Sequence, residues 1–128
     1  MTFAEKLDAA CAANRSLVCI GLDPDPSLMP VPDIALRQAQ DIARFNRAII
    51  EATSDLACAY KPNLAFYEAA GIPGLDALAE TLKAVPQGVL TIADGKRNDI
   101  GNSARFYAKA LFETWNFDAI TFNPYLGR

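Results

Sequence analysis

A chain of 128 residues that is 52% apolar has the makings of a packed domain rather than a disordered tail. Twelve basic against 15 acidic side chains give a formal charge of −3 with no basic stripe, which argues against a nucleic-acid partner. No stretch approaches the roughly 20 apolar residues that span a bilayer, and the absence of histidine and of any CxxC pair excludes most zinc arrangements.

The start of the chain carries Glu5, Lys6 and Asp8 and lacks the basic-then-apolar pattern of a secretory signal. Phe3, Leu7 and Ala10 or Cys11 recur at helical spacing, so residues 3–13 read as a short amphipathic helix closed by Asn14. Residues 17–22 (LVCIGL) form a nearly continuous apolar run, the mark of a strand covered on both faces as in parallel sheets. Four prolines between positions 24 and 32 then forbid regular structure. Asp33 is placed to cap a long helix reaching about Leu56, with Ile34, Ala39, Ile42, Phe45, Ile49 and Ile50 as its buried stripe and Arg37, Arg44 and Arg47 toward water. A second strand follows at 58–61, ended by Pro62, and a helical turn at 66–70. Residues 74–85 read as a helix with Leu75, Leu78 and Leu82 on one side, and 89–93 (VLTIA) as a third strand. The helix at 100–114 offers Phe106, Ala110 and Leu111 to a core, and 118–122 is a fourth strand. Cys11, Cys19 and Cys58 each lie in an apolar run and read as buried, reduced thiols of a cytoplasmic protein.

A helix, three strand–helix units and a final strand make an α/β chain of parallel βαβ units. Periodicity leaves open whether these form an open doubly wound sheet or part of a closed barrel. The dinucleotide fingerprint is missing, since Gly21 is followed by LDPDP, and so is the phosphate loop GxxxxGK[ST].

Ionisable residues collect at strand ends: Asp23 after the first strand, Lys61 at the end of the second, Asp94 and Lys96 after the third. Parallel strands present their carboxyl ends on one side, the side on which barrels assemble active sites. Singly, each residue has a plainer reading, Asp23 as a turn cap and Lys61 as a charge reaching water. Together, alternating lysine and aspartate supply the partners that buried charges need. In an extended stretch Asp94 and Lys96, two apart, point the same way. Asp99 stands where a carboxylate caps the following helix. A lysine held among aspartates suits both stabilising a developing carbanion and protonating it.

The segment Asp94-Gly-Lys96-Arg97-Asn98-Asp99-Ile100-Gly101 resembles the catalytic DxKxxD segment of the orotidine 5'-phosphate decarboxylases, in their longer, bacterial-type form. GLDPDP at 21–26, YKPNLAFYEAAG at 60–71 and TFNPYLG at 121–127 agree with that family in order and context. The resemblance implies that residues 1–128 are the amino-terminal portion of a single TIM (β/α)8 barrel domain, about four parallel strands with connecting helices after a short N-terminal helix. It implies a cofactor-free lyase of pyrimidine biosynthesis that converts orotidine 5'-phosphate to UMP and carbon dioxide. Asp23 would hold a ribose hydroxyl. Lys61 would bind ribose and help fix Asp94, Asp94 would face the orotate carboxylate, and Lys96 would protonate C6. The family dimerises, so Asp99 would enter the partner subunit's site in a homodimer, with Ile100 lining it. Ser103 stands where many members have threonine, and Asn123 would border the base pocket. No metal ligand is implied.

Two other readings compete. A sugar-phosphate decarboxylase or aldolase of the same barrel group would use Asp94 as a magnesium ligand, although KPN and NPYLG point back to the nucleotide enzyme. A non-catalytic assembly subunit is the other. The family grips the substrate phosphate from late barrel loops that include an arginine, a role not assigned to Arg128, so the 128 residues are expected not to be competent alone.

Overall fold

The computed structural model describes residues 1–29 and 39–126. The expected cap at Asp33 and the first part of the long helix, with Ile34 and Arg37, lie outside the described residues, as does the side chain of Ala39.

Helix α1 (Phe3–Asn14) begins at a capping box: the Thr2 hydroxyl accepts from Glu5 N and the Glu5 carboxylate from Thr2 N. Arg15, in the left-handed conformation at φ 47°, ends it, so the terminator falls one residue beyond Asn14. Asn14 instead donates to the carbonyls of Ser54 (2.9 Å) and Ala57 (2.7 Å), and Lys6 pairs with Asp118. These partners lie at the amino ends of strands. Ala10, with Leu7 and Cys11, packs on Cys58, Ala59 and Leu90, so α1 plugs that end of the sheet.

The remaining elements are β1 (Val18–Leu22), α2 (Ala39–Thr53), β2 (Ala57–Pro62), α3 (Leu64–Ala69), α4 (Gly71–Ala84), β3 (Leu90–Ala93), α5 (Gly101–Ala108) and β4 (Ala119–Ile120). All strand pairs are parallel and the order is β1-β2-β3-β4. This settles the question that periodicity leaves open. A doubly wound sheet reverses its strand order at a switch point, whereas strictly sequential parallel order is that of a TIM barrel, here its first half.

Most of the apolar core lies between the sheet and the helices that follow β1, β2 and β3. Ile42, Leu64, Tyr67, Leu78, Ala93, Leu111 and Phe117 form one cluster there, and Leu22, Ile50, Ala57 and Tyr60 another. Each fully buried large side chain contributes roughly 1.5–3 kcal/mol. Helix α1 covers the lower part of the inner face. Leu17 (87% exposed), Val18 and Cys19 contradict the expectation of a strand covered on both faces: β1 is an edge strand, and among the described residues no packed layer covers its first residues. For the same reason Cys19 is exposed rather than buried; Cys11 is half-buried, and only Cys58 is buried, with its thiol on the Val18 carbonyl.

Two helices bury faces other than those expected. In α4 the buried stripe is Gly74, Ala77, Leu78 and Thr81, while Leu75 is turned outward. Small residues win because α4 lies directly on α3; a Cβ on Gly74 would stand 1.9 Å from the Tyr67 carbonyl oxygen. The helix expected over 100–114 is α-helical only to Ala108; Lys109–Thr114 is a wider π-type stretch, in which Trp115 N reaches the Ala110 carbonyl at 2.9 Å. The altered turn carries Leu111 into the core with Ala110 half-buried, whereas α5 itself buries none of its residues, and Phe106 is 63% exposed, against expectation.

A polar network lies inside the core. Asn46, on the buried face of α2, donates to the Tyr67 hydroxyl and to Thr81 Oγ1, both at 2.9 Å, and Tyr67 donates to the Leu22 carbonyl at 2.9 Å. Burial pushes the Tyr67 phenol well above its ordinary range, so it stays a donor. The network ties α2, α3 and α4 to the end of β1, one residue before Asp23. Asn46 Oδ1 has no hydrogen-bond partner among the described residues.

Candidate active site

Asp94 is the first residue beyond β3, and the backbone around it is locked on both sides. Its N–H donates to the Pro62 carbonyl (3.0 Å), and its own carbonyl accepts from Leu64 N (3.1 Å) at the start of α3. Asn63 caps α3 through Ala65 N, so the KPN segment turns at once from strand to helix. The Asp94 side chain is 10% exposed, yet each carboxylate oxygen has a cation. Lys61 Nζ lies 2.7 Å from Oδ2, and Lys96 Nζ lies 2.7 Å from Oδ1. The Lys61 hydrogen bond, then that of Lys96, holds the Asp94 carboxyl well below the usual carboxylate range, against the opposing effect of burial. Lys61 is raised in turn, first by its hydrogen bond to Asp94, with Asp23 adding to the effect and burial opposing it. Asp94 and Lys61 are thus held as an ionised pair at neutral pH.

Lys96 reaches Asp94 by a route other than the expected one. The stretch after β3 is not extended: Lys96 has φ 49°, the left-handed region that costs a non-glycine residue about 1 kcal/mol or more. The curl brings its ammonium back over Asp94 while leaving the side chain 69% exposed, open to a ligand. Gly95 allows the approach, since a Cβ there would stand 2.8 Å from Leu64 Cδ1.

Three neighbours of Asp94, Lys61 and Lys96 lie in motifs that the sequence reading quotes but are given no role there. Thr121, one residue past β4, donates from Oγ1 to Asp94 Oδ1 at 2.8 Å and accepts from Lys96 N at 3.2 Å. Arg97 clamps the turn, with Nη1 on the Gly95 carbonyl (3.0 Å) and an ion pair to Glu68 of α3. Asn98 donates to the carbonyls of Asn123 and Leu126, tying the turn to the loop after β4. Register is the signal that finds Thr121. Ala93 pairs with Ile120, so the next residue of each strand, Asp94 and Thr121, stand side by side.

The other predicted residues are more scattered. Asp23 is exposed beyond β1, near enough to Lys61 to act on its charge but not in an ion pair with it. Asp99 is half-buried, accepts from Ile100 N at 2.7 Å, and makes no ion pair among the described residues. It does not cap α5: Ile100 holds the cap position, 65% exposed and without a side-chain cap. Ser103 lies exposed in the first turn of α5, and Asn123 Oδ1 accepts from Tyr125 N at 2.9 Å within its own turn.

Lys61 and Lys96 on one strand-end carboxylate, at the carboxyl ends of sequential parallel strands, make up the site, and the chain that carries it has known relatives. Residues 16–128 match the orotidine 5'-phosphate decarboxylase / HUMPS family. The chain belongs to that family. The orotidine 5'-phosphate decarboxylase of Herpetosiphon aurantiacus is 52% identical over 125 residues, and that of Dehalococcoides mccartyi 51% over 127. These alignments take in 98% and 99% of the chain but only 46% and 44% of the relatives, so the chain spans about half the length of the curated relatives it matches. Among solved structures, Leishmania donovani OMP decarboxylase superposes with a TM-score of 0.83 at 36% identity, covering 99% of the chain and 46% of that structure. Leishmania donovani UMP synthase gives 0.82 at 36%, covering 98% of the chain and 25% of its own. Family membership and the half-barrel architecture therefore rest on independent sequence and structural agreement.

Proposed function

We propose that the full-length protein containing these residues decarboxylates orotidine 5'-phosphate to UMP, and that residues 1–128 carry the proton-transfer and ribose-binding part of its single barrel domain. The observation that carries this reading is the Asp94 carboxylate with Lys61 on one oxygen and Lys96 on the other, each at 2.7 Å. An ionised Asp94 facing the substrate carboxylate repels it, and departure of carbon dioxide relieves the repulsion. The C6–carboxylate bond breaks with its electron pair left on C6. The Lys96 ammonium stabilises that developing carbanion and gives it a proton, and solvent then reprotonates the amine. Lys61 and Asp23 would hold the ribose. Asp99 and Ile100 would serve the partner subunit's site in a homodimer, with Ser103 and Asn123 at the periphery of the pocket. The exposure of Ile100 and the absence of an ion pair at Asp99 among the described residues fit that assignment.

The magnesium-dependent sugar-phosphate reading is disfavoured by the donor set. Asp94 Oδ1 is engaged by Lys96 and Thr121 and Oδ2 by Lys61, so a cation ligated there would have to displace ammonium groups. The names of the relatives near 50% identity point the same way. Turnover of orotidine 5'-phosphate by the full-length protein, measured with and without chelator, tests the reading. Chelator-resistant decarboxylation is expected, and chelator-sensitive activity on sugar phosphates would overturn it. The 128-residue chain assayed alone should show no turnover, because remote phosphate contacts contribute much of the transition-state stabilisation in this chemistry; turnover at the rate of the full-length protein would refute that.

A further inference from the structure

Thr121 stands beside the centre of the site, bonded to the Asp94 carboxylate and to the backbone of Lys96. Its hydroxyl accepts from the Lys96 amide at 3.2 Å. An amide can only donate, so the hydroxyl hydrogen is free for Asp94 Oδ1, 2.8 Å away, and an ionised carboxylate can only accept. The directions of both bonds are therefore fixed. The Thr121 amide donates to the Ala93 carbonyl at 3.0 Å, so the same residue is also fastened to the end of β3. One side chain just past β4 thus grips the carboxylate of Asp94 and the backbone of the residue two further on.

We propose that Thr121 is a positioning residue: its hydroxyl orients the Asp94 carboxylate and holds Lys96 in its left-handed backbone conformation, so that the Lys96 ammonium meets the reacting carbon. This rests on the reading of Lys96 as proton donor. The physical need is local. A non-glycine residue at φ 49° persists only where its surroundings over-determine it. Gly95, immediately before, imposes no stiffness of its own. Arg97 and Asn98 fasten the turn beyond Lys96, and the bond to Thr121 is the one made by the Lys96 amide itself. Without it the backbone relaxes toward the extended region and carries the ammonium away from its place over Asp94.

The test is made in the full-length protein with Thr121→Val, which keeps the shape and removes the hydroxyl, and Thr121→Ser, which restores it. Three quantities are read: kcat and KM for orotidine 5'-phosphate, and the hydrogen-exchange rate of the Lys96 amide. The valine variant should lose about 10- to 100-fold in kcat, the effect of one charge-assisted hydrogen bond, while KM moves less than about threefold. Serine should restore kcat to within about threefold of wild type, and the Lys96 amide should exchange faster in the valine variant alone. A loss of packing at β4 would not follow the hydroxyl in this way, because serine removes the methyl and keeps the oxygen. Should the valine variant unfold, as judged by circular dichroism, the serine–alanine pair gives the same contrast. Wild-type turnover with valine-variant kcat unchanged, or serine no better than alanine, overturns the positioning role alone. A wild-type protein inert toward orotidine 5'-phosphate overturns the reading of the whole site.

Discussion

Asp94 and Asp118 are strand-end aspartates held by the same kinds of group at opposite ends of the sheet. Asp94, at the carboxyl end of β3, has Lys61, Lys96 and the Thr121 hydroxyl. Asp118, at the amino end of β4, has Lys6 from α1, and its Oδ2 accepts from Thr91 N (2.9 Å) and Thr91 Oγ1 (3.3 Å). At the amino end one lysine meets one carboxylate, α1 closes over it, and the arrangement stitches helix to sheet. At the carboxyl end two ammonium groups share one carboxylate, one of them reached through an unfavourable backbone angle and left 69% exposed. Similar ingredients serve cohesion at one end and, on the proposed reading of the site, reactivity at the other. The difference lies in the surplus charge and in access, which is the usual division of labour between the two faces of a barrel.

Breaking the carboxyl end should cost activity first. Lys96→Ala in the full-length protein should lower decarboxylation by about 10⁴-fold, the upper range for a positioned general acid, with circular dichroism unchanged; retained turnover would remove Lys96 as proton donor. Asp94→Asn should cost about 100- to 1,000-fold in kcat. It also has a pH signature. The Asp94 carboxyl titrates lower in the folded than in the unfolded chain, so its ionised form stabilises the fold above the ordinary aspartate value of about 4. That contribution is lost as pH falls below about 4 toward the depressed folded value. Urea unfolding at pH 7 and pH 3 should show the wild-type advantage over Asp94→Asn shrinking in acid, and a pH-independent gap would contradict the charge argument.

Breaking the amino end should cost stability and leave kcat within about twofold. Asp118→Ala removes both bonds to Thr91 and should destabilise by about 1–3 kcal/mol, read from urea midpoints. A large loss of kcat with an unchanged midpoint would erase the contrast between the two ends. Thr2→Ala opens the capping box of α1 and should cost about 0.5–1 kcal/mol with kinetics untouched.

Element type and order were readable from the chain because burial on one face of a helix or strand leaves a period that tertiary context seldom erases. The misread faces share one cause, the choice among neighbouring apolar residues. Leu75 and Phe106 are as hydrophobic as residues that are buried, but the closeness of α4 to α3 turns Leu75 outward, and α5 buries none of its residues, Phe106 included. Asn46 was missed for the converse reason. A polar residue on the inner stripe of α2 is tolerated because Tyr67 and Thr81, 21 and 35 residues away, meet its amide.

By itself the sequence determined the α/β alternation, the placing of Asp23, Lys61, Asp94 and Lys96 at strand ends, and the resemblance carried by DGKRNDIG. These are one-dimensional facts, since strand ends and motif spacing are local properties of the chain. Tertiary structure alone decided that the strands lie in sequential order, that Lys96 curls back through a left-handed turn, and that Thr121 stands beside Asp94. Each depends on the register between strands, and register is set by packing across tens of residues rather than by any local run.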